Sequence, residues 1–281
     1  MKIILSRKGF DSASGGSPSP ILPDGSLLSL PIPEDAGFAD GAVAYRDLRV
    51  DADYSYADVM QELAIRVPDG GAHCDPDLQP AARPRRPAWR PLFGQAAAAQ
   101  GHLRNQRVGA GDLFLFFGLF RHTERVAQTL RWRGEPARHV IWGYLQVQER
   151  WDGAQCHEAP EWATDHPHIA AAGRHQNAVY VARRRLSFAD DVPGAGRLRY
   201  HAGLELTAPG SRTASLWRLP DSFWPADGPP TLTYHTRADR WARLSDAIVH
   251  VRSVGRGQEF VVGGTPAIMA WVRRLIEAGL G

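Results

Sequence analysis

The chain has 281 residues, 43% hydrophobic and 22% charged, with a net charge of +3 and a pI of about 9.1. This balance excludes fibrous and intrinsically disordered classes, and no apolar run reaches the ~20 residues of a membrane span. Two cysteines, Cys74 and Cys156, offer no disulfide framework and point to a reducing, cytoplasmic setting, and the mildly basic charge is compatible with a nucleotide or DNA partner.

The apolar run Lys2-Ile3-Ile4-Leu5 predicts a buried strand at the N-terminus, too short for a signal-peptide core. It leads into a loop, Ser6 to Pro20, carrying Arg7, Lys8, Asp11 and Ser12 among glycines and serines. Exposed backbone N–H groups, hydroxyls and an Arg-Lys pair are the parts of an anion cradle. No Gly-Lys-Ser/Thr closes the loop, so it is not a Walker A loop, and a plain flexible loop is the alternative. Pro23-Asp24-Gly25 predicts a turn between apolar flanks. Ser55, with Asp58 three residues on, predicts a capped helix ending before Val67-Pro68.

Next comes Ala72-His73-Cys74-Asp75-Pro76-Asp77-Leu78. One imidazole and two carboxylates in a Gly/Pro-bounded loop suit acid/base chemistry at His73, Asp75 and Asp77, or a divalent metal held by His73 and Asp75. The alternative is a turn whose Asp side chains cap local N–H groups. The residue before Pro76 is held extended, which aims the Asp75 carboxylate, while Asp77 is expected to cap the next turn. Pro80 to Pro91 reads as an internal connector rich in arginine, with Arg83, Arg85, Arg86 and Arg90 available to phosphates. A short helix is expected over 96–106.

Two runs anchor the fold. Gly111 to Arg121 is apolar on both faces, as a covered central strand should be. His139 to Val147 is its expected partner, and Gly118 and Gly143 within the two runs suggest a bulge or a close backbone approach. Trp142 and Tyr144, with Phe116 and Phe120, could stack on a base, although core packing is the alternative for each. Residues 151–176 read as a loop in which His166 and His168 flank Pro167. The spacing could add two metal ligands, but exposed histidines in an irregular loop are the expectation. Strands are predicted at 177–182, 247–251 and 260–262, with helix an equal option over 244–251. Gln258 and Glu259 form a polar pair before the last strand, with Glu259 a candidate general base and Gln258 a candidate substrate contact. Thr265 and Pro266 then open a C-terminal helix with an apolar stripe of Ile268, Val272, Leu275 and Ile276. Short strands, few helices and no β-α-β rhythm predict a single α+β domain over residues 1–281, with a mixed, curved or partly barrel-like sheet.

Four segments together, Ser6-Arg7-Lys8-Gly9-Phe10-Asp11-Ser12 with Gly15 to Ile21, His73 to Leu78, Gly111 to Gly118, and Gly257 to Val261, resemble the third family of nucleotide modification associated domains over essentially the whole chain. The resemblance implies a bacterial or phage protein linked to DNA or nucleotide modification, working beside other proteins of a modification system. It assigns no reaction and no residue roles. A weaker likeness, Gly111-Asp112-Leu113 followed by Trp142-Gly143-Tyr144, is to small barrels of the PUA type, which bind nucleic acid. Two functions therefore stand open: an enzyme acting on a nucleotide or a base in DNA, and a non-catalytic module that reads a modified base.

Overall fold

The computed structural model describes residues 1–34, 43–170, 173, 176–254 and 259–280. The strands in chain order are β1 (Lys2–Arg7), β2 (Ser19–Ile21), β3 (Leu92–Gln95), β4 (Leu113–Val126), β5 (Thr129–Trp132), β6 (Arg138–Asp152) and β7 (Ala178–Ala182). They continue with β8 (Arg185–Leu186), β9 (Ala189–Pro193), β10 (Ala195–Arg197), β11 (Leu216–Pro220), β12 (Trp241–Ser245), β13 (Ile248–Arg252) and β14 (Glu259–Gly263). The helices are α1 (Tyr56–Glu62), α2 (Ala97–Asn105), α3 (Ala154–His157), α4 (Pro167–Ala170) and α5 (Pro266–Gly279).

The main sheet runs β14-β1-β4-β6-β7-β3, with β2 and β5 also on β4 and β10 on β6. β1 is parallel to β4 and antiparallel to β14, so the sheet is mixed. The chain is α+β with few helices and a C-terminal helix, as its patterning implies. The sheet is open, however: no pairing among the described residues closes it into a barrel.

The aromatic run of β4 earns its central place by burial on both faces. Phe114, Phe116 and Phe117 are fully inaccessible, and the α5 stripe Ile268, Val272 and Ile276 joins them in one core with Trp217 and Val251 of a second sheet, β11-β13-β12. A second core gathers α1 with Leu28, Leu30 and Tyr45. Local signals hold at both capped helices. Ser55 and Asp58 form a reciprocal capping box on α1, and Thr265 accepts from Ile268 N with Pro266 in the first turn of α5. The 151–176 segment differs from the loop its pattern suggests, carrying the end of β6 and the short helices α3 and α4, while 244–251 takes its strand option, in β12 and β13 joined by a turn.

Two details aim side chains at the site. In β6, Gly143 opposes Phe116 but Ile141 opposes Phe117, so Trp142 is the extra residue of a β-bulge. In β4, Gly118 lies against the chain leaving β1, where a Cβ would sit 2.6 Å from the Lys8 carbonyl oxygen. Lys8 N donates to Phe117 O at 2.8 Å, so this close approach fixes the backbone of Lys8. Gly118→Ala is therefore expected to destabilise the fold by about 1–3 kcal/mol, the cost of forcing atoms into a packed interior. The measurement is a denaturant titration, read as a lower midpoint at unchanged slope; an unchanged midpoint would count against the contact.

Candidate functional site

The site forms where β1, β3, the 73–77 segment and α4 meet. The antiparallel register of β14 sets Glu259 beside Ser6. Glu259 is buried, and its Oε1 accepts from Ser6 Oγ at 3.0 Å and from Gln95 Nε2 at 2.6 Å. Lys8 Nζ lies 3.6 Å from the same oxygen, 3.9 Å from Asp75 Oδ2, and 4.5 Å above the Phe93 ring. Burial pushes the Glu259 carboxyl up to about 7, against the opposing pull of Lys8, Gln95 and Ser6. Its Oε2 is buried without a hydrogen-bond partner.

Asp75 is the other buried carboxylate. Its Oδ1 accepts from Gly94 N at 2.6 Å. Burial alone would raise its pKa, but His166, His168 and Lys8 outweigh that and hold the group below the ordinary carboxylate range. His166 Nε2 stands 3.3 Å from Asp75 Oδ1, off the hydrogen-bond direction, and His168 Nε2 stands 3.8 Å from Asp75 Oδ2.

Hydrogen bonding fixes the tautomers of the two outer histidines. Asn177 Nδ2 donates to His168 O at 2.8 Å, so Asn177 Oδ1 must be the acceptor facing His168 Nδ1 at 2.7 Å. His168 therefore carries its proton on Nδ1 and presents a lone pair at Nε2 toward Asp75. Glu34 Oε2 sits 2.6 Å from His73 Nδ1, which makes that nitrogen the donor and leaves Nε2 with the lone pair. Burial lowers His168 to about 4, so it is neutral at physiological pH. One donor atom each of His73, Asp75 and His168 lies within 4.8 Å of the other two. Two imidazole lone pairs and a carboxylate, all buried, form a donor set suited to a divalent first-row transition ion with positions left open.

Gly94 supports this set twice. Besides its N–H to Asp75, it lies under the His168 ring, where a Cβ would come within 2.2 Å of Cγ. A cavity of about 230 Å³ opens beside the cluster, walled by Arg7, Lys8, Asp11, His73, Asp75 and His168. The N-terminal loop and the 73–77 segment thus share one wall.

Other candidates from the sequence fall elsewhere. Asp77 does not join the cluster, and the expected cap is not made. Its carboxylate is gripped by Arg85 at 2.5 and 2.6 Å and by Arg83 at 3.0 Å. Glu259 sits behind Lys8 and Gln95 and does not line the cavity. Ser12 is exposed and Ser14 takes its place in the wall, while Asp11 Oδ1 caps Ala13 N and Ser14 N at 2.8 Å each. Tyr144 is core, its hydroxyl donating to Pro193 O at 3.1 Å, and Trp142 lines a separate, smaller cavity. Gln258 lies outside the described residues. His166 and His168, expected to be exposed, are among the most buried polar residues, at 1% and 4%. Glu34, Gln95 and Asn177 carried no signal in the sequence beyond polarity, whereas His166-Pro167-His168 did. The connector arginines are paired too: Arg86 with Glu161 at 2.6 Å and Arg90 with Glu149 at 3.3 Å.

The family model of nucleotide modification associated domain 3 matches residues 2–263. No curated protein and no solved structure matches the chain.

Glu259 gives a pH prediction. Its folded pKa, about 7, stands above the ordinary 4.5, so the folded state binds the extra proton between these values. The stability that Glu259 contributes is present below about 4.5 and is lost as pH rises through 7. Glu259→Gln should therefore stabilise the protein relative to the parent at pH 8 more than at pH 5, in urea melts at both values. A difference that does not change with pH would contradict the raised pKa.

Proposed function

Because the chain belongs to the nucleotide modification associated domain 3 family, we propose that it is a metal-dependent enzyme acting on a nucleotide or on a base in DNA. The observation that carries the reading is the gathering of His73 and His168 around a buried Asp75 carboxylate, with His168 Nε2 facing it and each ring held at Nδ1 by Glu34 or Asn177. Lone pairs facing a carboxylate repel each other unless a cation lies between them. A bound divalent ion would polarise a substrate oxygen or lower the pKa of a water molecule.

The chain's own groups then have defined tasks. Glu34 and Asn177 hold the ligand rings by their second nitrogens. Lys8, aligned between Asp75 and Glu259, and Arg7 present positive charge to the same cavity, where they would meet electronegative atoms of the substrate. Glu259 titrates near 7 and touches Lys8, so it can hold a proton next to the ammonium group without facing the cavity. The reading as a base reader is weaker here, because the aromatics that would form a cage, Phe116, Phe120 and Tyr144, are core residues.

The test is metal content of the pure chain after loading with Mn²⁺, Fe²⁺ or Zn²⁺, followed by a nucleotide screen with the loaded protein. About one ion per chain is expected. His73→Ala and His168→Ala should each weaken the ion at least 10-fold, since changes one shell further out already cost 10–100-fold. Gly94→Ala should do the same without removing a ligand, because its methyl group displaces the His168 ring. Melting curves separate these effects from unfolding. A parent chain that modifies nucleotides with no metal bound, or variants that keep the ion, would sink the metal reading.

A further inference from the structure

On the other side of the Asp75-Pro76-Asp77 segment lies the smaller cavity, about 60 Å³. Arg83, Arg85, Arg197, Asp77 and Trp142 are in its wall. Three arginines against the Asp77 carboxylate leave two positive charges in excess (3 − 1 = 2). Asp75 also borders the cavity, but its oxygens are engaged by Gly94 and lie beside Lys8 and the two histidines. Cys74 and Tyr56 contribute no charge, since burial pushes the Cys74 thiol up to about 12 and raises Tyr56 as well.

The hydrogen-bond balance points the same way. Trp142 Nε1, Arg197 Nη1 and Arg83 Nε are buried donors without a partner, and Trp142 is only 4% exposed. The acceptors beside them are used: Asp77 by Arg83 and Arg85, and Gln79 Oε1 by the Tyr56 hydroxyl at 3.3 Å. Buried donors without acceptors are costly, because they lose their bonds to water and gain none in return. The β-bulge at Trp142 and the pairing of Arg197 with Gly143 in β10 bring two of these donors to one place. What the wall lacks is a compact group rich in acceptors and carrying about two negative charges.

We propose that this cavity binds the terminal phosphate of a nucleoside monophosphate, whose nucleoside then reaches the larger cavity. A phosphate monoester carries about −1.5 to −2 at pH 7, which matches the excess, whereas an internal diester of a strand carries a single charge. The volume suits the group, since one water needs about 10–15 Å³ on this measure, so the space holds roughly four to six waters. Gly9 and Asp75 border both cavities, which sets the two side by side. The inference rests on the larger cavity as the nucleotide's reacting end, and it narrows the substrate class to one with a free phosphate terminus.

The experiment is calorimetric titration of the parent, Arg197→Met, Trp142→Phe and Arg121→Met chains. The probes are the four deoxynucleoside monophosphates, their nucleosides, inorganic phosphate, and a trinucleotide with internal diesters only. In the parent, a monophosphate should bind at least 10-fold tighter than its nucleoside and be displaced by inorganic phosphate. Arg197→Met should remove most of that preference and Trp142→Phe should reduce it several-fold. Arg121→Met, outside the walls of both cavities, should keep it. Equal binding of nucleoside and monophosphate, a trinucleotide that binds as tightly as the monophosphate, or a folded Arg197→Met chain with unchanged preference would each overturn the proposal. Phosphate preference in a chain that never binds metal would keep this inference and remove the metal reading; a metal-binding chain without phosphate preference would do the reverse.

Discussion

The carboxylate of Asp75 is the constraint around which this architecture is arranged. A buried anion costs several kcal/mol unless charges and donors answer it. Here the answer comes from distant parts of the chain: Lys8 after the first strand, Gly94 in β3, and His166 ahead of α4. None of these elements has a local reason to meet the others. β1 reaches the middle of the sheet through its parallel pairing with β4, β3 reaches the far edge through β7, and α4 packs on β3 only because Gly94 has no side chain. The long-range cost of assembling them is met by the apolar sheet around β4, and the polar centre is what that rigidity supports.

The same logic explains why His168 differs from an ordinary core histidine. A buried neutral imidazole commonly gives its proton to one partner and accepts from another. His168 gives its proton to Asn177, yet its accepting nitrogen faces a carboxylate that has nothing to donate. His73 is held in the same sense by Glu34. Lys8 supplies one positive charge, but it is shared with Glu259 at a shorter distance than with Asp75. Both rings are thus held at Nδ1 by partners outside the cluster, an arrangement a ligand set would need.

What the sequence showed depended on how local the cause was. The capping box of Ser55 and Asp58, the Thr265-Pro266 helix start and the double-faced run at β4 all act within one turn or one strand, and each reads directly from spacing. The chemistry at His73 and Asp75 was marked by residue type, but its completion at His168 depended on α4 folding under cover of β3, which no spacing rule encodes. Asp77 is expected from the sequence to cap the next turn, and what it meets instead, two arginines, comes from the connector that follows it. Strict alternation would set residues 75 and 77 on one face, yet the Asp75 carboxylate meets the histidines and the Asp77 carboxylate meets Arg83 and Arg85. The β-bulge that makes Trp142 the extra residue of β6 is likewise a property of the pair β4 and β6, not of either run alone.

The distribution of positive charge bears on what kind of ligand suits the chain. The connector arginines looked like a strip for binding a nucleic-acid backbone, yet Arg83 and Arg85 turn inward onto Asp77 while Arg86 and Arg90 are held by Glu161 and Glu149. A duplex is bound by many exposed cations releasing counterions along its length, and paired arginines contribute little to that. Cations gathered in small cavities do something different. In a low-dielectric wall their field is concentrated on one position, and a ligand is rewarded for placing its charge there rather than for being long. Arg7 and Lys8 in one cavity and Arg83, Arg85 and Arg197 in the next, with Asp75 between them, therefore concentrate positive charge in two enclosed places instead of spreading it along the surface.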